Sequence, residues 1–178
     1  LGQRYSSWVA KLAVLNCPHP SVITEHLLNN PAQRKKSWYI FYYQLPWLPE
    51  LIMCRDKWAF SRKALQFTSV RGTFSDEEIA EYVKAWSKPG ALTAMLNWYR
   101  AGLLMMKPSR QKRHALRKIE VVTLLLWGVK DHFLGQELAQ PSIDRCSDGK
   151  LVFLEEATHW LQHEVPEKVN SLLLDFLS

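Results

Sequence analysis

The 178-residue chain has no apolar run near the roughly 18–20 residues that a bilayer-spanning helix needs. It opens on Leu1, without an initiator Met or a basic-then-apolar leader, so a fragment of a longer protein is the expectation. Glycine is scarce, and no two of the seven glycines stand four apart. The chain therefore never spells the G-x-nucleophile-x-G turn that presents a catalytic side chain at the top of a parallel sheet. Cysteine is scarcer still. Cys17, Cys54 and Cys146 are odd in number and widely spaced, which fits neither a metal motif nor a disulfide framework and points to a reducing, cytoplasmic compartment. No repeat or low-complexity segment is visible, and 47% hydrophobic against 22% charged residues excludes a disordered tail.

What is present is basic, aromatic and periodic. Lys and Arg number 23 against 17 Asp and Glu, a net charge of +6. Lys107, Arg110, Lys112, Arg113, Arg117 and Lys118 fall in one stretch. Such a run either touches phosphate or is a solvated linker; no stacking platform or groove-binding motif accompanies it, so no nucleic-acid partner is expected.

Residues 3–10 read as the tail of a helix and Lys11–Asn16 as a buried strand, stopped by Pro18 and Pro20. Helices are expected over 21–29 and 56–69, with an aromatic-dense stretch over 37–53. Ser75 and Glu78 form a capping box for a helix that places Ile79, Tyr82, Val83 and Trp86 on one face. A second stripe runs through Leu92, Met95, Leu96, Tyr99 and Leu103. Val121–Trp127 is a continuous apolar run, as in a strand buried on both faces. A helical stretch near 136–146, a strand at Leu151–Leu154 and a helix opened by Pro166, with Val169, Leu172, Leu173 and Phe176 inward, complete the order. Strands alternating with helices imply an α/β protein with a parallel sheet. The block over about 21–117 is too long for a crossover helix and reads as an inserted helical lid.

Open parallel sheets place their sites at the carboxyl ends of strands. Asp131 and His159 each follow such an end. A carboxylate beside a histidine fixes its tautomer and makes the ring a competent base; the plainer alternative is a turn Asp and a capped His. The aromatic run 37–47 and Asn97-Trp98-Tyr99-Arg100 would line an apolar pocket, with tyrosines able to donate to a developing alkoxide or simply to fill a core.

The segments NCPHP (16–20), SWYIFYYQLPWLPE (37–50), SKPGALTAMLNWYRA (87–101), TLLLWGVKDHFLG (123–135) and LEEATHWLQHEVPEKVN (154–170) resemble the epoxide hydrolases of the α/β-hydrolase fold. The resemblance implies a partial parallel sheet with an all-helical lid: residues 1–20 as a core segment, 21–117 as lid, and 118–178 as the core part carrying acid and histidine. It implies Asp131 as the acid orienting His159, His159 as the base activating water, and Tyr42 and Tyr99 as donors to the epoxide oxygen. Trp38, Tyr43 and Trp160 would line the pocket. The substrate would be a small hydrophobic epoxide, opened through an aspartyl ester to a vicinal diol, with no cofactor and no metal.

The nucleophilic Asp, and an H-G-x-P motif, would lie upstream, with the Asp roughly ten residues before Leu1, so this chain alone is expected to be inactive. Some relatives also carry a membrane anchor in that upstream part. An exposed sheet edge is expected to favour association. The alternatives are a haloalkane or haloacetate dehalogenase, or an esterase, on the same scaffold, and a non-catalytic binding module derived from a truncated hydrolase.

Overall fold

The computed structural model describes residues 2–105 and 118–178. Three parallel strands form one sheet in the order β1 (Lys11–Leu15), β2 (Val122–Gly128), β3 (Gly149–Leu154). Lys11 pairs with Val122 and Leu15 with Leu126, while Thr123 pairs with Gly149 and Gly128 with Leu154. The apolar run of β2 makes it the central strand. Its period of two sends Leu125 and Trp127 to one face, with Val22, Leu138 and Ile143, and Leu124 and Leu126 to the other, with Leu154, Leu161 and Val169. Both faces are covered, as a parallel sheet requires.

Among the described residues, six helices stand between β1 and β2: α1 (Pro20–Asn29), α2 (Pro31–Lys36), α3 (Trp38–Tyr42), α4 (Leu48–Thr68), α5 (Asp76–Trp86) and α6 (Ala91–Met105). After β2 come α7 (Ala139–Ile143), then β3, α8 (Leu161–Glu164) and α9 (Pro166–Leu177). The inserted helices have their own cores, one of Trp58, Leu92 and Leu96, the other of Leu65, Phe74 and Ile79. The Ser75–Glu78 capping box closes in both directions, and Pro166 opens α9. No helix among the described residues is long and apolar enough to cross a membrane. The basic stretch, Lys118 excepted, lies outside the described residues.

Three local expectations are corrected. Residues 3–10 form turns and one short 3-10 turn at Ser6–Trp8, not the tail of an α-helix; Tyr5 and Trp8 are exposed, and so short a segment has no apolar face to hold it helical. The helix expected at 56–69 begins earlier, at Leu48, and is broken midway. Arg55 is extended, and Asp56, Lys57 and Trp58 are left-handed, a conformation that costs non-glycine residues energy. Burial of the Trp58 ring in the α6 core compensates. The stretch 136–146 is a 3-10 turn (Gln136–Leu138) followed by α7. Pro141 lies in the first turn of α7, where its missing N–H would have had no partner.

Candidate active site

The carboxyl ends of all three strands meet in one hydrogen-bonded knot. Asn16, directly after β1, takes a left-handed φ of 43°, which its short polar side chain tolerates. Its Oδ1 accepts the Gly128 N–H at 2.7 Å, and its Nδ2 donates to the Thr158 carbonyl at 2.7 Å. A Cβ on Gly128 would collide with the Thr158 and Ala157 carbonyl oxygens, so only glycine admits this approach.

Asp131 follows β2 and its side chain is 0% exposed. Oδ1 accepts the Phe133 N–H at 2.7 Å and the Leu134 N–H at 3.0 Å. Oδ2 lies 2.7 Å from His159 Nδ1. The carboxylate thus fixes Nδ1 as the protonated ring nitrogen and leaves Nε2 to accept a proton. The inserted helices brace this turn. Gln33 of α2, fully buried, donates to the Phe133 carbonyl and accepts the Gly135 N–H, and Lys36 Nζ donates to the Asp131 carbonyl at 2.9 Å.

His159, its side chain 31% exposed, packs edge-on against Trp160 at 5.4 Å and against Phe133 at 5.2 Å between ring centroids. Phe133 meets Tyr39 at 5.4 Å, and Tyr39 meets Tyr99 at 5.7 Å. Helical spacing sorts the aromatic run: Tyr39 and Tyr43 share one face of α3, and Trp38 and Tyr42 share another. Tyr39 touches both Phe133 and Tyr99 directly, whereas Tyr42 meets Tyr43 at 5.8 Å and reaches Tyr99 only through it. Trp38 is 57% exposed and stacks on Tyr42, whose hydroxyl is buried without a hydrogen-bond partner among the described residues. Tyr43 contacts Tyr99 at 5.1 Å. Trp160 holds Thr68 through its indole N–H. The i, i+4 period was the sequence signal for Tyr39; Asn16 and Gln33 act over long sequence separations and have no local signature.

Burial raises the phenols of Tyr39, Tyr43 and Tyr99 above their ordinary value, that of Tyr43 to about 12; Tyr99 and Asp131 add to the rise at Tyr39, and Tyr99 and Tyr42 to that at Tyr43. At neutral pH these phenols keep their protons and remain donors. Among the described residues, no group of three His, Cys, Asp or Glu side chains is placed to hold a metal ion.

Arg100 anchors the aromatic loop to α6. Its guanidinium pairs with both Glu50 oxygens, at 2.8 and 3.1 Å, and donates to the Tyr43 and Leu45 carbonyls. This hydrogen bonding holds the Glu50 carboxyl below its ordinary value, against a smaller opposing effect of burial. A depressed folded value means that the pair's stabilisation is complete above the unfolded value, about 4.3, and is lost as pH falls through the lower folded value. Thermal melts of wild type and Glu50→Gln should therefore differ at neutral pH, by the order of 1 kcal/mol for a partly exposed pair, and converge in acid. A constant difference across that range would contradict the assignment.

No family model matches the chain. The AB hydrolase superfamily protein YfhM of Bacillus subtilis is 39% identical over 173 residues, covering 96% of this chain and 58% of its own length. Human epoxide hydrolase 4 is 36% identical over 186 residues, covering 97% of this chain and 48% of its own. A Bacillus megaterium epoxide hydrolase, solved with an inhibitor, superposes with a TM-score of 0.84 at 26% identity, over 99% of this chain and 63% of that one. The fold is that of the α/β-hydrolases. Within that class the chain is homologous to the epoxide hydrolases along nearly its whole length, and it spans about half the length of the curated relatives it matches.

Proposed function

We propose that this chain supplies the lid and the water-activating pair of an enzyme that opens hydrophobic epoxides to vicinal diols. The observation that carries the reading is the His159–Asp131 pair, linked through Phe133 to two half-buried, protonated phenols, Tyr39 and Tyr99, on the inserted helices. Residues 21–117 act as the lid in this reading, with 1–20 and 118–178 as core. Placement favours Tyr39 over Tyr42 as the partner of Tyr99.

The chemistry follows from these roles. A carboxylate attacks an epoxide carbon, and the ring C–O bond breaks. Tyr39 and Tyr99 donate hydrogen bonds to the alkoxide as it forms; the alkoxide then takes a proton from solvent to become a hydroxyl, and His159 returns one to solvent after the second step. The product of this step is a hydroxyalkyl ester. His159 Nε2 next takes a proton from water, and the resulting oxygen nucleophile attacks the ester carbonyl, releasing the diol and regenerating the carboxylate. Asp131 stabilises the imidazolium. No G-x-nucleophile-x-G turn occurs in the sequence, so in this reading the attacking carboxylate comes from outside these 178 residues and the chain alone is silent.

The test is diol production from an aryl or alkyl epoxide by the protein of the complete reading frame, run beside halide release from a haloalkane. Diol without halide is the expected result. Halide release without diol would establish a dehalogenase, and neither product would support a binding module.

A further inference from the structure

Every polar group of Thr158, the residue before His159, is held. Thr158 is buried. Its N–H donates to Glu164 Oε2 at 2.5 Å, and its hydroxyl to Glu164 Oε1 at 2.6 Å, with the Thr68 carbonyl also in reach at 3.0 Å. Its carbonyl accepts from Asn16. Glu164 Oε1 also accepts the Val70 N–H at 2.8 Å, just beyond the end of α4, and Trp160 donates to Thr68 at 3.1 Å. One half-buried carboxylate thus receives three donors, two from the residue before His159 and one from the inserted helical block.

We propose that Glu164 is a positioning residue: it sets the orientation of His159 and couples it to the seating of the inserted helices. The inference rests on the reading of His159 as the base. A carboxylate suits this place because both of its oxygens accept. An amide offers one acceptor and one donor, so Glu164→Gln must turn at least one of the three contacts into donor facing donor. The cost falls largely on Thr158, the residue bonded to His159. Asp131 fixes the ring's nitrogen, whereas Glu164 fixes the backbone from which the ring projects, and an error of about 1 Å there can cost on the order of a hundredfold in rate.

The experiment uses the protein of the complete reading frame as wild type, Glu164→Gln, Glu164→Asp and Thr158→Val. Two quantities are read: the proton resonance of His159 Nδ1–H in its bond to Asp131, and kcat and KM for an epoxide. Glu164→Gln is expected to move or broaden that resonance and to lower kcat by up to about a hundredfold with little change in KM. Glu164→Asp, which keeps the charge, should recover much of both. Thr158→Val, which removes only the hydroxyl bond, should move the resonance the same way by less, and it serves where Glu164→Gln does not fold. A folded Glu164→Gln with an unmoved resonance and unchanged kcat, or one altered only in melting temperature, overturns the proposal. If the wild type makes no diol, the resonance alone decides: a shift upholds Glu164 while the epoxide reading fails.

Discussion

His159→Gln is expected to stop turnover and leave the enzyme covalently loaded. The base acts in the second half of the proposed reaction, when water attacks the ester, and has no part in the carboxylate's attack on the epoxide. Removing it should slow turnover by about four to six orders of magnitude, as loss of one member of a coupled catalytic set does elsewhere. The first step should still run, so the intact mass should rise by that of one substrate molecule. Asp131→Asn should give the same adduct with a milder loss of rate, because its carboxylate holds the Nδ1 proton of His159 at 2.7 Å, and without it the ring can present the wrong tautomer. Loss of turnover with no added mass, in a protein that still folds, would place His159 before ester formation and break the assigned order of steps.

Tyr39→Phe carries the second large effect. If Tyr39 and Tyr99 share the developing alkoxide, deleting one hydroxyl should reduce kcat about a hundredfold, and deleting both should leave nothing measurable. Tyr42→Phe is the control that separates the readings. The Tyr42 hydroxyl is buried without a partner among the described residues, so removing it relieves a desolvation cost and should leave turnover unchanged and stability level or slightly higher. Equal losses in Tyr39→Phe and Tyr42→Phe would point to general disturbance of α3. Loss in Tyr42→Phe alone would restore Tyr42 to the role that the family resemblance implies.

The contrast between these tyrosines marks the boundary of what the sequence shows. The elements with local signatures were legible: the apolar run of β2, the Ser75–Glu78 capping box, Pro166 at the start of α9, and Asp131 and His159 just past their strands. The break in α4 was not, because Asp56, Lys57 and Trp58 adopt left-handed backbone with no glycine among them and only the burial of Trp58 to hold them there. The proposed preference for Tyr39 over Tyr42 rests on the packing of Tyr39 against Phe133 and Tyr99. Asn16, Gln33 and Glu164 escaped because their bonds join strand ends, the inserted helices and the His159 loop; one of them spans 142 positions, and no short window contains such a pair.

The most direct test of the account is a single turnover in water enriched in oxygen-18, with the protein of the complete reading frame in excess over an epoxide. If a carboxylate opens the ring and His159 then directs water to the ester carbonyl, the diol of the first turnover takes its new oxygen from the protein and carries no label, and the label appears in the carboxylate. Label in the first-turnover diol would mean that water opens the epoxide directly, and the two-step role given to the His159–Asp131 pair would be wrong.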